Sequence, residues 1–489
     1  MSIHFTHRLA RQLALAGLLG TLGLTAQAAA DIRIYSRDPA GVGFNDTTPV
    51  APIGGNPGTT LGAQRWNVYA YVANIWAQQL DSAVPISVNA GWEALTCTAS
   101  SATLGSASAS GYWRNFAGAP QRNTWYPRAL ANKLAGVNLV EKNGSDPALP
   151  ANMDIKTQFN VNLGKSDCLP SKPFYLGLDN NAPTNATNLM SVLLHELGHG
   201  LGFAAGTSPQ TGKRITSSGV GYPAVWEQFM LDNTTGKTWL NMTDAERVAS
   251  SVSTNLAWTG ANVAAATPLV LNAAPFATGV MPASVAGLYK IGTANFGQPL
   301  STNGLTGEVM PLVDQADGNT GLACSALTTA QASGIRGKLA LIDRGSCSYA
   351  IKVKNVQDAG AIGVMIADNA DATTPPNMTG VDATINIPVV SLLKADGAKL
   401  KTALKSRSRT RSGMFFTLAL DSTIRVGTDL AGRPLLYAPL VYNSGSSVSH
   451  WDTSATPNLL MEPFNTPGLS TVLTAPKDLT FPLLKDIGW

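Results

Sequence analysis

The chain has 489 residues, which is too long for one ordinary hydrophobic core and predicts two or three domains. Charged residues make up only 13% of it, and its 47 glycines and 29 prolines are typical of a loop-rich exported protein. Of its 34 basic and 30 acidic residues, Arg8 and Arg11 lie in a segment expected to be removed, so the net charge falls from +4 to +2. Binding to nucleic acid or another polyanion is therefore not predicted.

The first 30 residues have the three parts of a secretory signal peptide. Two arginines supply the basic region, residues 13–24 form an apolar run, and small residues offer cleavage after Ala28 or Ala30. The run is too short to span a bilayer comfortably, and no other long apolar segment follows it. We therefore predict a protein that is secreted to the cell exterior or the periplasm, without a membrane span.

Hydrophobic periodicity predicts the elements of the N-terminal half in chain order. A strand at residues 32–35 precedes a buried helix at 61–80, in which Trp66 and other apolar residues recur at helical spacing. Strands follow at 86–89 and at 154–163, the latter with clean apolar and polar alternation. We expect this last strand to be either a sheet edge that binds an extended peptide or an ordinary half-buried strand.

Four cysteines form an even set without CxxC spacing, which predicts two disulfides in an oxidising compartment. Three pairings are possible. Grouping along the chain favours Cys97–Cys168 and Cys324–Cys347, because each pair then falls inside one candidate domain. Free buried cysteines remain the alternative.

The motif His195-Glu196-Leu197-Gly198-His199 has the spacing of a helical zinc hydrolase site. Positions i and i+4 project from one face of a helix, so His195 and His199 can share one metal ion. Glu196 lies about 100° around the helix and reaches a metal-bound water. Zinc lowers the pKa of its water to about 7, and the glutamate accepts its proton during attack on a carbonyl. The motif predicts a zinc peptidase with Glu196 as the catalytic base.

An amphipathic surface helix with two exposed histidines is the alternative interpretation of this motif. Residues 189–194 argue against it, because they are apolar enough to bury the helix. Gly198, Gly200 and Gly202 also crowd the second half of the helix, where each costs about 1 kcal/mol relative to alanine. Such local violations tend to mark function.

A catalytic zinc site usually takes a third protein ligand. Of the five histidines, His4 and His7 lie in the predicted signal peptide, so only His450 remains besides the motif. The extended metzincin motif has a glycine at the position of Gly202, which fits, and a histidine where Ala205 stands.

Three segments near the end of the sequence, 447–452, 458–463 and 484–489, resemble leishmanolysin-type metzincins. In that family an insertion displaces the third histidine far downstream, and a methionine turn follows it closely. The resemblance implies that His450 is the third zinc ligand and that Met461 forms the turn beneath the metal. It also implies a zincin-like α+β catalytic domain.

Other roles remain open for these residues. His450 would otherwise be a capping or surface histidine in a serine-rich loop, and Met461 would be core filler. In a rival interpretation Glu227 is the third zinc ligand. Gly202 and the resemblance of the C-terminal segments to metzincins argue against it. No tyrosine follows Met461 closely, so no tyrosine oxyanion donor is assigned.

The segments 337–347, 351–359 and 360–367 predict strand, helix and strand. Together with residues 387–391 they resemble the protease-associated (PA) domain, with limits at about 275–415. The resemblance implies a small α/β module that is not itself catalytic and that gates or selects protein substrates.

A basic run lies within the predicted module, at Lys399, Lys401, Lys405, Arg407, Arg409 and Arg411. Its arginines alternate with serine and threonine, which predicts one face of an exposed strand, protected from aggregation by charge. Binding to an anionic surface is the alternative.

The sequence thus predicts an α+β metzincin catalytic domain that is split by an inserted PA domain. Residues 1–30 form the signal peptide, 31–274 the first catalytic part, 275–415 the PA domain and 416–489 the second catalytic part. The predicted activity is that of a secreted zinc endopeptidase with one catalytic Zn²⁺, acting on proteins or peptides. The rival is a non-catalytic binding or surface protein, which would have no need to retain Glu196. Nothing in the sequence assigns the substrate, a calcium requirement or an oligomeric state.

Overall fold

The computed structural model describes residues 29–147, 149–313, 321–372, 374–466 and 468–489. The predicted signal peptide, with His4 and His7, lies outside these residues apart from positions 29 and 30, and it stays a prediction. None of the helices in the described ranges combines the length and the apolar character needed to cross a bilayer.

The α-helices of the described residues are α1 Leu61–Ala77, α2 Arg128–Ala135, α3 Leu139–Lys142, α4 Leu189–Leu201, α5 Asp244–Ser250, α6 Ala261–Val270, α7 Thr329–Ile335, α8 Tyr349–Asp358, α9 Lys394–Ala403 and α10 Thr480–Ile487. The strands are β1 Ile32–Ser36, β2 Ile86–Glu93, β3 Gly105–Ala109, β4 Tyr112–Trp113, β5 Tyr126–Pro127, β6 Ile155–Asn160, β7 Phe174–Tyr175, β8 Thr187–Asn188, β9 Ile215–Ser217, β10 Val220–Tyr222, β11 Met230–Asp232, β12 Lys237–Thr238, β13 Leu256–Trp258, β14 Ala273–Met281, β15 Gly287–Lys290, β16 Gly292–Thr293, β17 Leu305–Pro311, β18 Leu339–Asp343, β19 Gly363–Ala367, β20 Val389–Leu392 and β21 Phe415–Arg425.

The first sheet has the strand order β1-β2-β6-β3. The first three strands are parallel, with Ile32 opposite Ile86 and Val88 opposite Ile155, and β3 is antiparallel to β6. The strand predicted at 154–163 is therefore an interior strand, and the prediction that it forms a sheet edge is wrong. The alternation of apolar and polar residues indicates that the two faces of this strand differ in polarity. It does not indicate which strands lie beside it. The edge strands are β1 and β3, and the small residues of β3 have little β propensity.

Helices α1 and α4 pack together and carry the core of this part of the chain. The Oγ1 of Thr60 caps α1 by accepting from the N–H of Ala63, and the indole N–H of Trp76 donates to Leu194 O of α4. The predicted burial of this helix holds for Trp76, which is fully enclosed, but is wrong for Trp66, which is 41% exposed. Its ring instead contacts Phe44 edge-on at the surface.

The segments before and after the large insertion share one hydrophobic core. Helix α10 packs on α6, and the carboxylate of Asp486 accepts from the indole of Trp258 and the backbone N–H of Asn262. The indole N–H of Trp489 donates to the backbone oxygen of Leu201, the last residue of α4. The tail of the sequence is thus tied directly to the helix that bears the His-Glu motif.

Residues 273–425 build a separate eight-stranded sheet of order β15-β14-β21-β17-β18-β19-β20-β16. Strands β17 to β20 are parallel, and alternate residues of β18 enter different apolar clusters: Leu339 and Leu341 on one face, Ala340 and Ile342 on the other. The sheet is therefore covered on both faces, as parallel sheets are. Strand β21 continues it ten residues beyond the predicted limit of 415.

The first and last strands of this module lie next to each other. Strand β14 opens the module and pairs antiparallel with β21, which closes it, so Ala273 lies opposite Arg425. Neighbouring strands lie about 5 Å apart, so the insertion interrupts the surrounding chain without separating its two ends.

The basic run does not form the predicted exposed strand. Lys399 and Lys401 lie on α9, and Lys401 pairs with Asp343. The arginines follow in a turn before β21, where the N–H of Ser408 donates to Arg411 O and the N–H of Arg411 donates to the Ser408 hydroxyl. In this run arginine alternates with serine and threonine. The segment therefore has no apolar face that could be buried against a core.

Both disulfides are present in the structure. Cys97 is bonded to Cys168 in the first part of the chain, and Cys324 is bonded to Cys347 within the inserted module. Each bond therefore closes a loop inside one folded unit.

Candidate metal centre

Helix α4 places His195 and His199 on the same face. Asn188 begins the helix by accepting from the N–H of Met190, and Gly202 ends it with a φ of +121°, a conformation that favours glycine. The Nε2 atoms of His195 and His199 lie 3.0 Å apart. The spacing of the motif thus brings the two imidazoles close together.

His450 reaches this point from the far side of the insertion. Its Nε2 lies 3.2 Å from that of His199 and 3.2 Å from that of His195. The backbone N–H of Ala205, where the shorter motif would carry its histidine, donates to the hydroxyl of Ser449 at 3.1 Å. The segment that carries His450 therefore lies beside Ala205.

The second nitrogen of each imidazole contacts a backbone carbonyl. His195 Nδ1 lies 2.8 Å from Leu460 O, His199 Nδ1 lies 2.6 Å from Phe203 O, and His450 Nδ1 lies 2.8 Å from Ser446 O. A carbonyl only accepts, so each Nδ1 carries the proton and each Nε2 presents a lone pair.

Three lone pairs that face one another repel unless a cation or a donor lies between them. Three Zn–N bonds of about 2.0 to 2.1 Å at tetrahedral angles place the nitrogens roughly 3.3 Å apart, close to the observed 3.0 to 3.2 Å. The three imidazoles therefore fit a zinc ion and leave its fourth position open. Among the described residues, this is the only group of three or more potential ligands that converge in this way.

Burial keeps the three imidazoles neutral. It lowers the pKa of His195 to about 4 and that of His199 to about 3, and it also holds the pKa of His450 well below the usual value. The charge of a second imidazole would lower the pKa of His199 and His450 further. Neutral imidazole is the form that binds a metal ion.

Glu196 lies in the same cleft as the histidines and is 8% exposed. Burial raises the pKa of its carboxyl to about 8, while a hydrogen bond from the Ala107 backbone lowers it. A cation at the imidazoles would lower the pKa further, since opposite charges favour ionisation. Burial and a nearby cation thus shift the pKa of this carboxyl in opposite directions.

Met461 is fully buried against the turn of α4 that separates the two histidines. A Cβ added at Gly198 would come within 3.0 Å of the Met461 sulfur, so glycine permits this contact. The N–H of Trp451 donates to Met461 O, and Leu460 O orients His195. The segment around Met461 therefore supports His195 directly.

Glu227, the rival ligand, does not join the imidazoles. It is fully buried, and its carboxylate accepts from the backbone N–H groups of Gly206, Thr207 and Ala224. The described group of converging ligands does not include it. Glu227 instead holds the loop that follows α4.

A cleft of about 820 Å³ opens over the three histidines and Glu196. Strand β3 lines one wall, and residues 444–446, Leu460 and residues 462–465 line others. Besides Lys172, two ionisable residues in this lining escaped the sequence analysis, Tyr112 and Glu462. Burial raises the pKa of the Tyr112 phenol to about 12, so it stays protonated. No motif spacing marks either residue, because only the fold brings them to the cleft.

Comparison with known families places a PA domain in this chain. Residues 306–400 match the PA domain family, which confirms the predicted PA domain for that segment. It lies within the eight-stranded module.

Curated relatives match shorter parts of the chain. ER degradation-enhancing alpha-mannosidase-like protein 3 of Xenopus laevis is 37% identical over 122 residues, or 23% of this chain and 13% of its own length. C5a peptidase of Streptococcus pyogenes is 31% identical over 137 residues, or 24% of this chain and 11% of its own. The chain spans well under a fifth of the length of these relatives.

The solved structures that match this chain are only weakly similar to it. BSAP, a zinc aminopeptidase from Bacillus subtilis, is 24% identical with a TM-score of 0.22, covering 32% of this chain and 35% of that one. An aminopeptidase from Aneurinibacillus sp. strain AM-1 is 24% identical with a TM-score of 0.24, covering 31% and 32%. Likeness of this extent carries no argument about the metal centre.

Proposed function

We propose that this protein is a secreted zinc endopeptidase of the metzincin type. The observation that carries the proposal is the convergence of three imidazole Nε2 atoms within 3.0 to 3.2 Å, beside a buried glutamate in an open cleft. Three protein ligands with an open fourth position are typical of catalytic rather than structural zinc sites.

His195, His199 and His450 would hold the zinc ion, each fixed in its tautomer by a backbone carbonyl. The bound ion would supply Lewis acidity, both to lower the pKa of water and to polarise the peptide carbonyl. Glu196 would accept the proton of the attacking water and pass it to the departing amine. Met461 would support the imidazoles from below.

The peptide substrate would bind along β3. This strand is one of the two edges of its sheet, it lines the cleft, and the backbone of Ala107 contacts Glu196. An extended peptide that adds to such an edge gains main-chain hydrogen bonds and brings a carbonyl next to the base. The small side chains of β3 leave space for this approach.

Export through a signal peptide remains part of the proposal. Two disulfides support it, since such bonds persist in oxidising compartments.

Metal removal tests the proposed function. Dialysis against a zinc chelator is expected to abolish peptide hydrolysis, and one equivalent of Zn²⁺ should restore it, because the three imidazoles offer one site. Metal analysis and cleavage of an unstructured protein such as casein are measured on the same samples. Activity that survives at less than a tenth of an equivalent of metal would contradict the proposal.

The PA module should be separable from the chemistry. Because Ala273 and Arg425 lie opposite each other, a short glycine-serine linker can replace the residues between them. The shortened protein is expected to keep one zinc ion and to cleave small peptides within about threefold of the parent rate, while its cleavage of folded proteins changes. A shortened protein that folds and binds zinc, yet cleaves no peptide, would place the module in the active site.

A non-catalytic binding protein remains the second candidate. The PA domain supports it, because such a module can hold partners without chemistry. The buried Glu196 argues against it, since a binding protein has no use for a costly buried carboxyl beside three imidazoles.

A further inference from the structure

Glu462 is a second buried carboxyl in the cleft and has no role in the proposed chemistry. It is 4% exposed and follows Met461 directly. Its Oε1 accepts from the backbone N–H of Leu459 at 2.8 Å. No described residue is hydrogen-bonded to its Oε2, and the residue lines the cleft. One acceptor of this carboxyl is thus left for a molecule that enters the cleft.

The surroundings of Glu462 are negative. Burial raises the pKa of its carboxyl to about 7, and the charges of Asp452 and Asp478 raise it further. Asp478 is itself enclosed and accepts from the backbone of Leu460 and Thr480. Among the described residues, no lysine or arginine acts on Glu462 in return. A cationic group is therefore the complement that these acidic side chains favour.

The cleft near Glu462 is also polar enough to receive a charged group. The hydroxyl of Ser191 lies 3.2 Å from Oδ1 of Asn465, and both residues line the cleft. Lys172 is the one lysine or arginine of the described cleft lining, and it is not among the charges that act on Glu462.

We propose that Glu462 selects substrates with a lysine or arginine side chain next to the scissile bond. The inference rests on the proposed peptidase function and names its substrate class. Glu462 is placed for this role because Met461, its neighbour, packs under the turn of α4 that carries the histidines. A guanidinium or ammonium group donates to Oε2 and favours the ionised carboxylate.

A purely structural role would make different demands. Capping the N–H of Leu459 needs one acceptor oxygen, which glutamine also offers. Selection of a basic side chain needs the negative charge, which glutamine lacks. The substitution Glu462→Gln therefore separates the two roles.

The test compares arginine with citrulline, its neutral isostere, on either side of the scissile bond of one peptide. At pH 8 the parent enzyme is expected to prefer arginine in kcat/KM by about 10- to 100-fold at one of these positions. Glu462→Gln should reduce that preference to within about twofold and leave the citrulline peptide within about threefold. Lys172→Met, a control in the same cleft, should keep the full preference.

Failure of this inference is distinguishable from failure of the proposed function. Hydrolysis without an arginine preference in the parent, or with the preference intact in Glu462→Gln, overturns the role of Glu462 alone. If no peptide is cleaved, the peptidase function fails, and calorimetric binding of the same peptide pair then decides the inference. Tighter binding of the arginine peptide that Glu462→Gln abolishes supports it, and equal binding of the two peptides overturns it.

Discussion

Glu196→Gln is expected to lower kcat for peptide hydrolysis by roughly 10³ to 10⁴ while the protein keeps one zinc ion. Glutamine fills the same buried space but accepts no proton from water. The imidazoles are unchanged, because Glu196 is not among the converging ligands. Steady-state kinetics and metal analysis on the same preparation measure both quantities.

Glu141→Gln provides the matched control, since Glu141 is an exposed glutamate on α3. It should retain the parent rate and the parent zinc content. Hydrolysis by Glu196→Gln at a rate comparable to this control would contradict the assignment of the catalytic base. Loss of zinc in Glu196→Gln would instead make Glu196 a ligand.

His450→Ala is expected to weaken zinc binding by at least about 100-fold and to abolish peptidase activity. Two histidines on one helix turn remain, and a two-ligand site holds zinc poorly compared with the usual three or four ligands. Removing the imidazole also takes one of two donors from the Ser446 carbonyl, which keeps the N–H of Ser449. Competition with a chromophoric chelator measures the affinity, and circular dichroism checks the fold.

Glu227→Gln tests the rival ligand. This variant should be less stable, because glutamine cannot accept all the backbone N–H groups that Glu227 now satisfies. Its folded fraction should nevertheless bind one zinc ion with parent affinity. Zinc loss in Glu227→Gln together with full zinc content in His450→Ala would exchange the roles of the two residues.

Local sequence patterns predicted the parts of the site that one element carries. The spacing of His195 and His199 defines a helix face, so their convergence follows from helix geometry alone. His450 is different, since 251 residues separate it from His199. No periodicity predicts such a contact, and its expected role came from resemblance to a family ending.

The cleft walls could not be predicted in the same way. Strand β3 consists of small residues that carry a weak strand signal, and its place at the sheet edge depends on pairing with β6. Tyr112 and Glu462 enter the cleft only through tertiary packing. The inserted module was easier to locate, because its buried parallel strands are short, almost continuous apolar runs that alternate with a helix in sequence.

X-ray absorption at the zinc K-edge tests the central claim most directly, since it reports the number and type of ligands around a bound ion. The parent protein, loaded with one equivalent of zinc, should show imidazole scattering from three histidines with Zn–N distances of about 2.0 to 2.1 Å. His450→Ala, loaded at high zinc concentration, should lose one imidazole from this shell. A parent shell without three imidazoles, or a shell unchanged in His450→Ala, would contradict the three-histidine centre.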